Sequence, residues 1–382
     1  MNIPMQWQEI FSKKIVEDFF WISLRYGTAS LVALFLSAAF ARLTTKEVLG
    51  QYYFILSLVA FLSVFSLPGL NTAALRSVAR GGSGAVRQAV KLSFLGSFVA
   101  MPILIGYGLH LLQVGQGPFS VGLACLFLGL FYPFLYASNT WPVYYEGKLL
   151  FLPVSMRGAL STLAVAALMY GALTMGLDAF GLSCLWFFSN AIFSWFFFWR
   201  VSLKESQEKE NEIMIDIPYG LGLSLQKFII NLIDNLPIFV VAYWVGYEAV
   251  AHYQIAIGFL VAILGFLTLF GSLTLPRIFS PQRSRLRDTL AQHVIVGIMS
   301  ALGYLFLVEV FFQILYGNEY GESYQIAKAL AVLPILLSTR IFCTNVFIAA
   351  KKSTALIMGY VTALALSLSG LLFFLSSLSF KD

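Results

Sequence analysis

One stretch of this sequence carries polar residues at a useful spacing in a place where they are costly. Lys227, Asn231, Asp234 and Asn235 follow a 4-3-1 spacing inside the apolar run 218–244. At 3.6 residues per turn this puts all four along one helical face. Pro237 follows, removes a backbone donor and predicts a kink. A polar stripe with a carboxylate on a kinked helix fits a moving element that faces a lumen. There Asp234 is suited to exchanging H⁺ or binding Na⁺. The plainer alternative is an intrahelical Lys227–Asp234 pair, two turns apart, that only cancels charge.

Three more positions raise the same question, because an ionisable group at mid-bilayer costs about 3 kcal/mol or more. Arg25 interrupts the run 19–41, Arg340 precedes Asn345 in the run 325–349, and Glu309 sits in Val308-Glu309-Val310. Lys227 falls one residue from the repeat equivalent of Arg25 (below). One anionic ligand held between two halves of the molecule would explain both cations. Arg grips phosphate oxygens through a planar fork, and Lys acts as a point charge. The expected substrate-binding set is Arg25, Lys227, Asn231, Asn235 and Arg340, and the expected ion-coupling set is Asp234 and Glu309. Snorkelling to the headgroups is the alternative for the cations.

The elements that position these residues follow from composition. The chain is 59% hydrophobic and 11% charged, against about 25% charged in soluble domains. This excludes a cytosolic enzyme, a nucleic-acid-binding domain and a disordered chain, and implies an all-α polytopic membrane protein. Eleven runs are long and apolar enough to span: 19–41, 50–72, 91–112, 119–141, 154–176, 180–200, 218–244, 250–275, 291–315, 325–349 and 354–379. The polar stretch 201–217 divides an N-terminal lobe (1–200) from a C-terminal lobe (218–382). With the N-terminus in the cytoplasm, 17 of the 24 Lys and Arg fall inside, 4 outside and 3 within spans. That bias supports the orientation and puts the C-terminus outside.

A shift of 201 residues places Glu47 on Glu248, Tyr52 on Tyr253, Phe65 on Phe266 and Arg76 on Arg277. The second half begins in the same compartment as the first, so the expected repeats are parallel and pseudo-symmetric. The same shift carries Phe180, the start of the sixth span, past Asp382, so the second lobe is expected to lack its last helix.

Trp141, Trp195, Trp199 and Trp244 read as interfacial belt residues. Tyr132, Tyr136, Tyr144 and Tyr145 read as belt residues or as platforms for sugars. Cys125, Cys184 and Cys343 lie in apolar runs and make no disulfide framework or metal site. His110, His252 and His293 are scattered, and no phosphate-binding loop is present. No metal, cofactor or catalytic role is expected.

Leu49-Gly50-Gln51-Tyr52-Tyr53-Phe54, followed by Pro68-Gly69-Leu70-Asn71-Thr72-Ala73-Ala74-Leu75-Arg76, resembles the second helix and following loop of bacterial polysaccharide flippases. Leu315-Tyr316-Gly317-Asn318-Glu319-Tyr320 resembles their loop before the tenth helix. These proteins belong to the multidrug/oligosaccharidyl-lipid/polysaccharide superfamily. The resemblance implies two six-helix lobes around a cation-rich cavity. It implies transport of an undecaprenyl-diphosphate-linked oligosaccharide across the inner membrane by alternating access, for O-antigen, capsule or exopolysaccharide. Basic residues in the first and seventh helices are part of that pattern, and Arg25 and Lys227 match it. Implied partners are the lipid-linked oligosaccharide, membrane lipids and the polymerase and glycosyltransferases of the pathway. The alternative is a cation-coupled drug antiporter of the same superfamily, for which an acid-lined cavity is expected.

Overall fold

Backbone that crosses lipid must satisfy its own polar groups, so the long apolar runs of this chain can only be helices. The computed structural model describes residues 13–82, 84–115, 117–207, 214–278, 284–349, 354–365 and 369, with no strand among them. The first lobe contains α1 (Lys13–Leu43), α2 (Lys46–Leu62), α3 (Gly69–Ala79), α4 (Ala85–Ser97) and α5 (Ala100–Val114). It continues with α6 (Phe119–Leu130), α7 (Tyr132–Tyr136), α8 (Trp141–Gly147), α9 (Phe151–Thr174) and α10 (Ala179–Gln207). The second contains α11 (Ile217–Trp244), α12 (Tyr247–Ile278), α13 (Ser284–Leu315), α14 (Gly321–Ala329), α15 (Leu333–Ala349) and α16 (Thr354–Ala365).

Among the described residues, nine helical stretches are long and apolar enough to cross a membrane, and a bent pair makes a tenth. They correspond to the first ten expected spans. Of the eleventh, 354–379, α16 covers the start, and nearly all of the rest lies outside the described residues. The two ends of the bundle are called here the linker end, where α10 stops and α11 starts, and the far end.

The fourth expected span is not one straight helix. α6 and the α7–α8 segment meet at 75°. Pro133 and Pro142 each fall in the first turn of a helix after the break, where a missing N–H costs nothing. Side chains of α10 hold the segment after the break: Trp195 Nε1 donates to the Phe134 carbonyl at 2.8 Å, and Ser194 Oγ to Asn139 Oδ1 at 2.8 Å. By contrast, α11 runs through Pro237 as a single helix.

In the first lobe α1 pairs with α9 and α5 with α6. The second lobe repeats the order: α11 packs on α16 through Ile229, Leu356 and Tyr360, and α13 pairs with α15. Lipid tails are as apolar as leucine, so helices associate in a membrane by close packing rather than by the hydrophobic effect. The lobes meet where α12 packs on α1 and α2, and α11 on α2 and α3. A Cβ at Gly50 would lie 1.7 Å from the Tyr247 carbonyl oxygen, and one at Gly69 would lie 2.1 Å from that of Gly220. Leu49, Ile55 and Val59 of α2 and Val250, Ile255 and Phe259 of α12 share one buried core. Leu31, Leu160, Ile192 and Phe306 stay exposed, as a surface that faces acyl chains requires.

Candidate functional site

The polar face of α11 lies at the seam between lobes and splits two ways. Lys227 Nζ crosses the seam to donate to the Pro68 carbonyl at 3.0 Å. Asn231 Nδ2 also crosses it, donating to the Ala60 carbonyl at 3.4 Å. Both acceptors sit where α2 unwinds. α2 closes with a 3-10 turn over Ser63–Ser66, Leu67 adopts left-handed φ of 52°, and α3 starts at Gly69. An unwound segment exposes carbonyls that an intact helix would consume.

Asp234 faces its own lobe. Its Oδ1 lies 3.7 Å from Arg340 Nη1, and both side chains are partly exposed. The intrahelical Lys227–Asp234 pair is therefore not what forms, because each group has a different partner. Asn235 Nδ2 donates to the Asn231 carbonyl at 2.8 Å and stays on its own helix. Asn345 holds α15 to α12 by donating to the Gly271 carbonyl at 3.1 Å.

Arg25 is half-buried at the linker end of α1 and pairs with Glu146 of α8, Nη1 to Oε1 at 2.9 Å. Arg25 and Lys227 thus occupy corresponding helices but have separate partners. Glu309 accepts from Tyr324 Oη at 2.9 Å at the far end of the second lobe. That contact lies between α13 and α14, away from the polar face of α11.

Two further features were not legible beforehand. Glu146 is the counter-charge of Arg25, and its signal was only its position in Tyr144-Tyr145-Glu146-Gly147-Lys148, at the end of a span. The far end carries an inter-lobe clasp. Ser37 Oγ and Tyr316 Oη lie 2.9 Å apart. Arg42 donates to the Ile314 and Leu315 carbonyls at 2.6 and 3.1 Å, and Lys46 donates to the Glu319 carbonyl at 3.1 Å. Arg42 thereby meets the negative C-terminus of α13, where a cation is favoured.

The tyrosines expected at the belt or on a sugar are mostly core residues. Tyr132, Tyr144 and Tyr145 are buried, and Tyr132 Oη donates to the Val59 carbonyl at 3.0 Å. Trp141 is buried as well, whereas Trp199 and Trp244 are exposed as a belt would require. An aromatic cavity of about 650 Å³ lies between α2, α5 and α11 in the far half, lined by Phe54, Phe61, Tyr107, His110, Phe239 and Tyr243 among others. Its lining holds no carboxylate. No group of three or more potential metal ligands occurs among the described residues.

No curated protein matches this sequence significantly. Solved structures share its fold. The lipid II flippase MurJ in an inward closed conformation is 15% identical, with 91% of this chain and 80% of that one covered and a TM-score of 0.64. An outward-facing multidrug resistance MATE family transporter of the MOP superfamily is 14% identical, with 91% and 85% covered and a TM-score of 0.64. A MOP superfamily transporter from Pyrococcus furiosus, described as having a binding pocket of reverse polarity, is 14% identical, with 94% and 88% covered and a TM-score of 0.62. At such identities the likeness is one of fold. The sequence itself goes further: residues 15–282 match the model of a family described as polysaccharide biosynthesis protein, and the chain belongs to that family.

Proposed function

We propose that the protein is a flippase for undecaprenyl-diphosphate-linked oligosaccharide repeat units. It moves them from the inner to the outer leaflet of the bacterial inner membrane by alternating access, for O-antigen, capsule or exopolysaccharide. The linker end, rich in Lys and Arg, is the cytoplasmic end. One observation carries the reading. Lys227 lies within a membrane-spanning helix at the lobe seam, and a backbone carbonyl is its acceptor; no carboxylate among the described residues is within ion-pair distance of it. A desolvated cation with only a neutral partner favours an anion that arrives with its own charge. Arg25 and Arg340, each already beside a carboxylate, act as secondary contacts, with Asn231 and Asn235 as uncharged ones. Asp234 is the coupling group for H⁺ or Na⁺. A cationic-drug antiporter would need a free acid in the passage, and Asp234 is matched by Arg340.

The test uses cells that lack their own flippase and express this chain. Lys227→Gln is expected to cut polymer export at least about tenfold, the loss of one charge-assisted contact. Lipid-linked repeat units should accumulate while protein level stays normal. Full export by a normally expressed Lys227→Gln protein overturns the reading.

A further inference from the structure

Buried polar atoms without a protein partner are rare and expensive, so their distribution carries information. Among the described residues there are eight such side-chain atoms, and five belong to the linker ends of three helices in the first lobe. They are Trp21 Nε1 and Ser23 Oγ of α1, Tyr145 Oη of α8, and Ser155 Oγ and Arg157 Nη1 of α9. All five can donate, and the indole and guanidinium nitrogens can do nothing else. The fold therefore encloses donors here and supplies no acceptor for them.

Positive charge gathers around Tyr145, one of these five. The Arg157 guanidinium lies 4.6 Å from the centroid of the Tyr145 ring, and Lys204 Nζ of α10 lies 5.5 Å from it. Arg25 packs along Gly158, where a Cβ would lie 3.1 Å from its Nε. Lys148 approaches the neighbouring Tyr144 ring at 4.4 Å. The facing acid is Glu146, which Arg25 engages; Glu205, next to Lys204, turns instead to the Val86 and Arg87 amides of α4. Among the described residues Arg157 and Lys204 have no carboxylate within ion-pair distance, so at least two positive charges here are uncompensated.

We propose that Arg157, Arg25 and Lys204 around Tyr145 form a binding site for the phosphate groups of a lipid headgroup at the linker end of the first lobe. Phosphate oxygens are acceptors only, several to a group, and answer both the excess charge and the orphaned donors. The site is distinct from the α11 seam. Its use for cargo, rather than for bulk anionic lipid, rests on the flippase reading above; its existence does not.

The test is binding to the full chain in phosphatidylcholine nanodiscs, with undecaprenyl diphosphate and phosphatidylglycerol as separate probes, followed by tryptophan fluorescence and native mass spectrometry. Arg157→Gln is expected to weaken binding about tenfold or more. Tyr145→Phe should weaken it severalfold while leaving the melting temperature equal or higher, since it removes only an unpartnered hydroxyl. Arg200→Gln serves as the charge control. Arg200 lies at the same end, on the rings of Phe196 and Trp199, and this variant should bind as the wild type does. Preferred binding of undecaprenyl diphosphate marks a loading site, and equal binding of phosphatidylglycerol marks a general phosphate-lipid site; both support the proposal. Binding of neither probe, equal loss in Arg200→Gln, or wild-type binding by Arg157→Gln and Tyr145→Phe overturns it. The export assay with Lys227→Gln is read separately, so either idea can fail alone.

Discussion

The two glycines at the lobe seam give a paired prediction with opposite signs. Gly50→Ala would place a methyl carbon 1.7 Å from the Tyr247 carbonyl oxygen, whereas Cβ contacts below 3.0 Å essentially never occur. α2 and α12 must therefore separate by roughly 1.3 Å at the far end, the difference between those distances. The same movement stretches the clasp. The Ser37–Tyr316 contact, the two Arg42 bonds and the Lys46 bond start between 2.6 and 3.1 Å and all pass beyond bonding range. Counting the buried pair at about 1 kcal/mol and discounting the exposed cations, the loss is about 3 kcal/mol, a shift on the order of a hundredfold in favour of a far-end-open state. Gly69→Ala acts at the other end, where the added carbon would meet Gly220 O at 2.1 Å and Ser224 N at 2.3 Å. It loosens the α2–α11 seam and the Lys227–Pro68 bond and leaves the clasp alone. Spin labels on Met175 and Val245 report the far end, and labels on Leu203 and Leu221 the linker end; all four positions are exposed. Gly50→Ala should lengthen only the first distance and Gly69→Ala only the second. Unchanged distances, or both ends opening together in either variant, would refute a two-ended seam.

Two other substitutions test contacts on either side of that seam. Glu205 is buried and accepts from the Val86 and Arg87 amides at 3.2 and 3.3 Å. Glu205→Ala should cost about 2–4 kcal/mol by stranding the first turn of α4, seen as a melting temperature several degrees lower in detergent, with Glu205→Gln recovering part of the loss. Asp234→Asn should lower stability by leaving Arg340 uncompensated, and adding Arg340→Gln should restore it. A double-mutant cycle is expected to give about 1 kcal/mol of coupling, and strict additivity would mean that the 3.7 Å contact contributes nothing.

The spans were readable because membrane thickness and backbone satisfaction leave one solution for twenty apolar residues. The 75° break in the fourth span was not. Pro133 stands at the break and Pro237 stands inside α11, yet the chain breaks at one and continues through the other. The difference lies in tertiary partners, since Trp195 and Ser194 receive the interrupted segment, and a one-dimensional reading cannot see them. The α11 face was legible from spacing alone. Its partners were not, because Pro68, Ala60 and Arg340 are more than a hundred residues from the groups they meet, or belong to another span. Arg157 lies in the second turn of α9 with a buried nitrogen, which its place near the start of the run 154–176 does not reveal.

In the proposed flippase, the partners also explain why Lys227, rather than Arg25 or Arg340, is the cation most available to a cargo. Arg25–Glu146 and Asp234–Arg340 join the first span to the fourth span of their own lobe, with the signs of the charges exchanged. A rigid-body movement of one lobe against the other leaves both pairs intact, so neither has to be disrupted at each turnover. The Lys227–Pro68 bond instead crosses the seam and must break whenever the linker end opens. A neutral carbonyl contributes about 1 kcal/mol net, whereas an ionic partner would hold a desolvated cation with several times that. In that proposal, opening at this point costs little and exposes an amine with no competing carboxylate among the described residues, so the movement that would admit an anionic headgroup is the same one that frees its counter-charge.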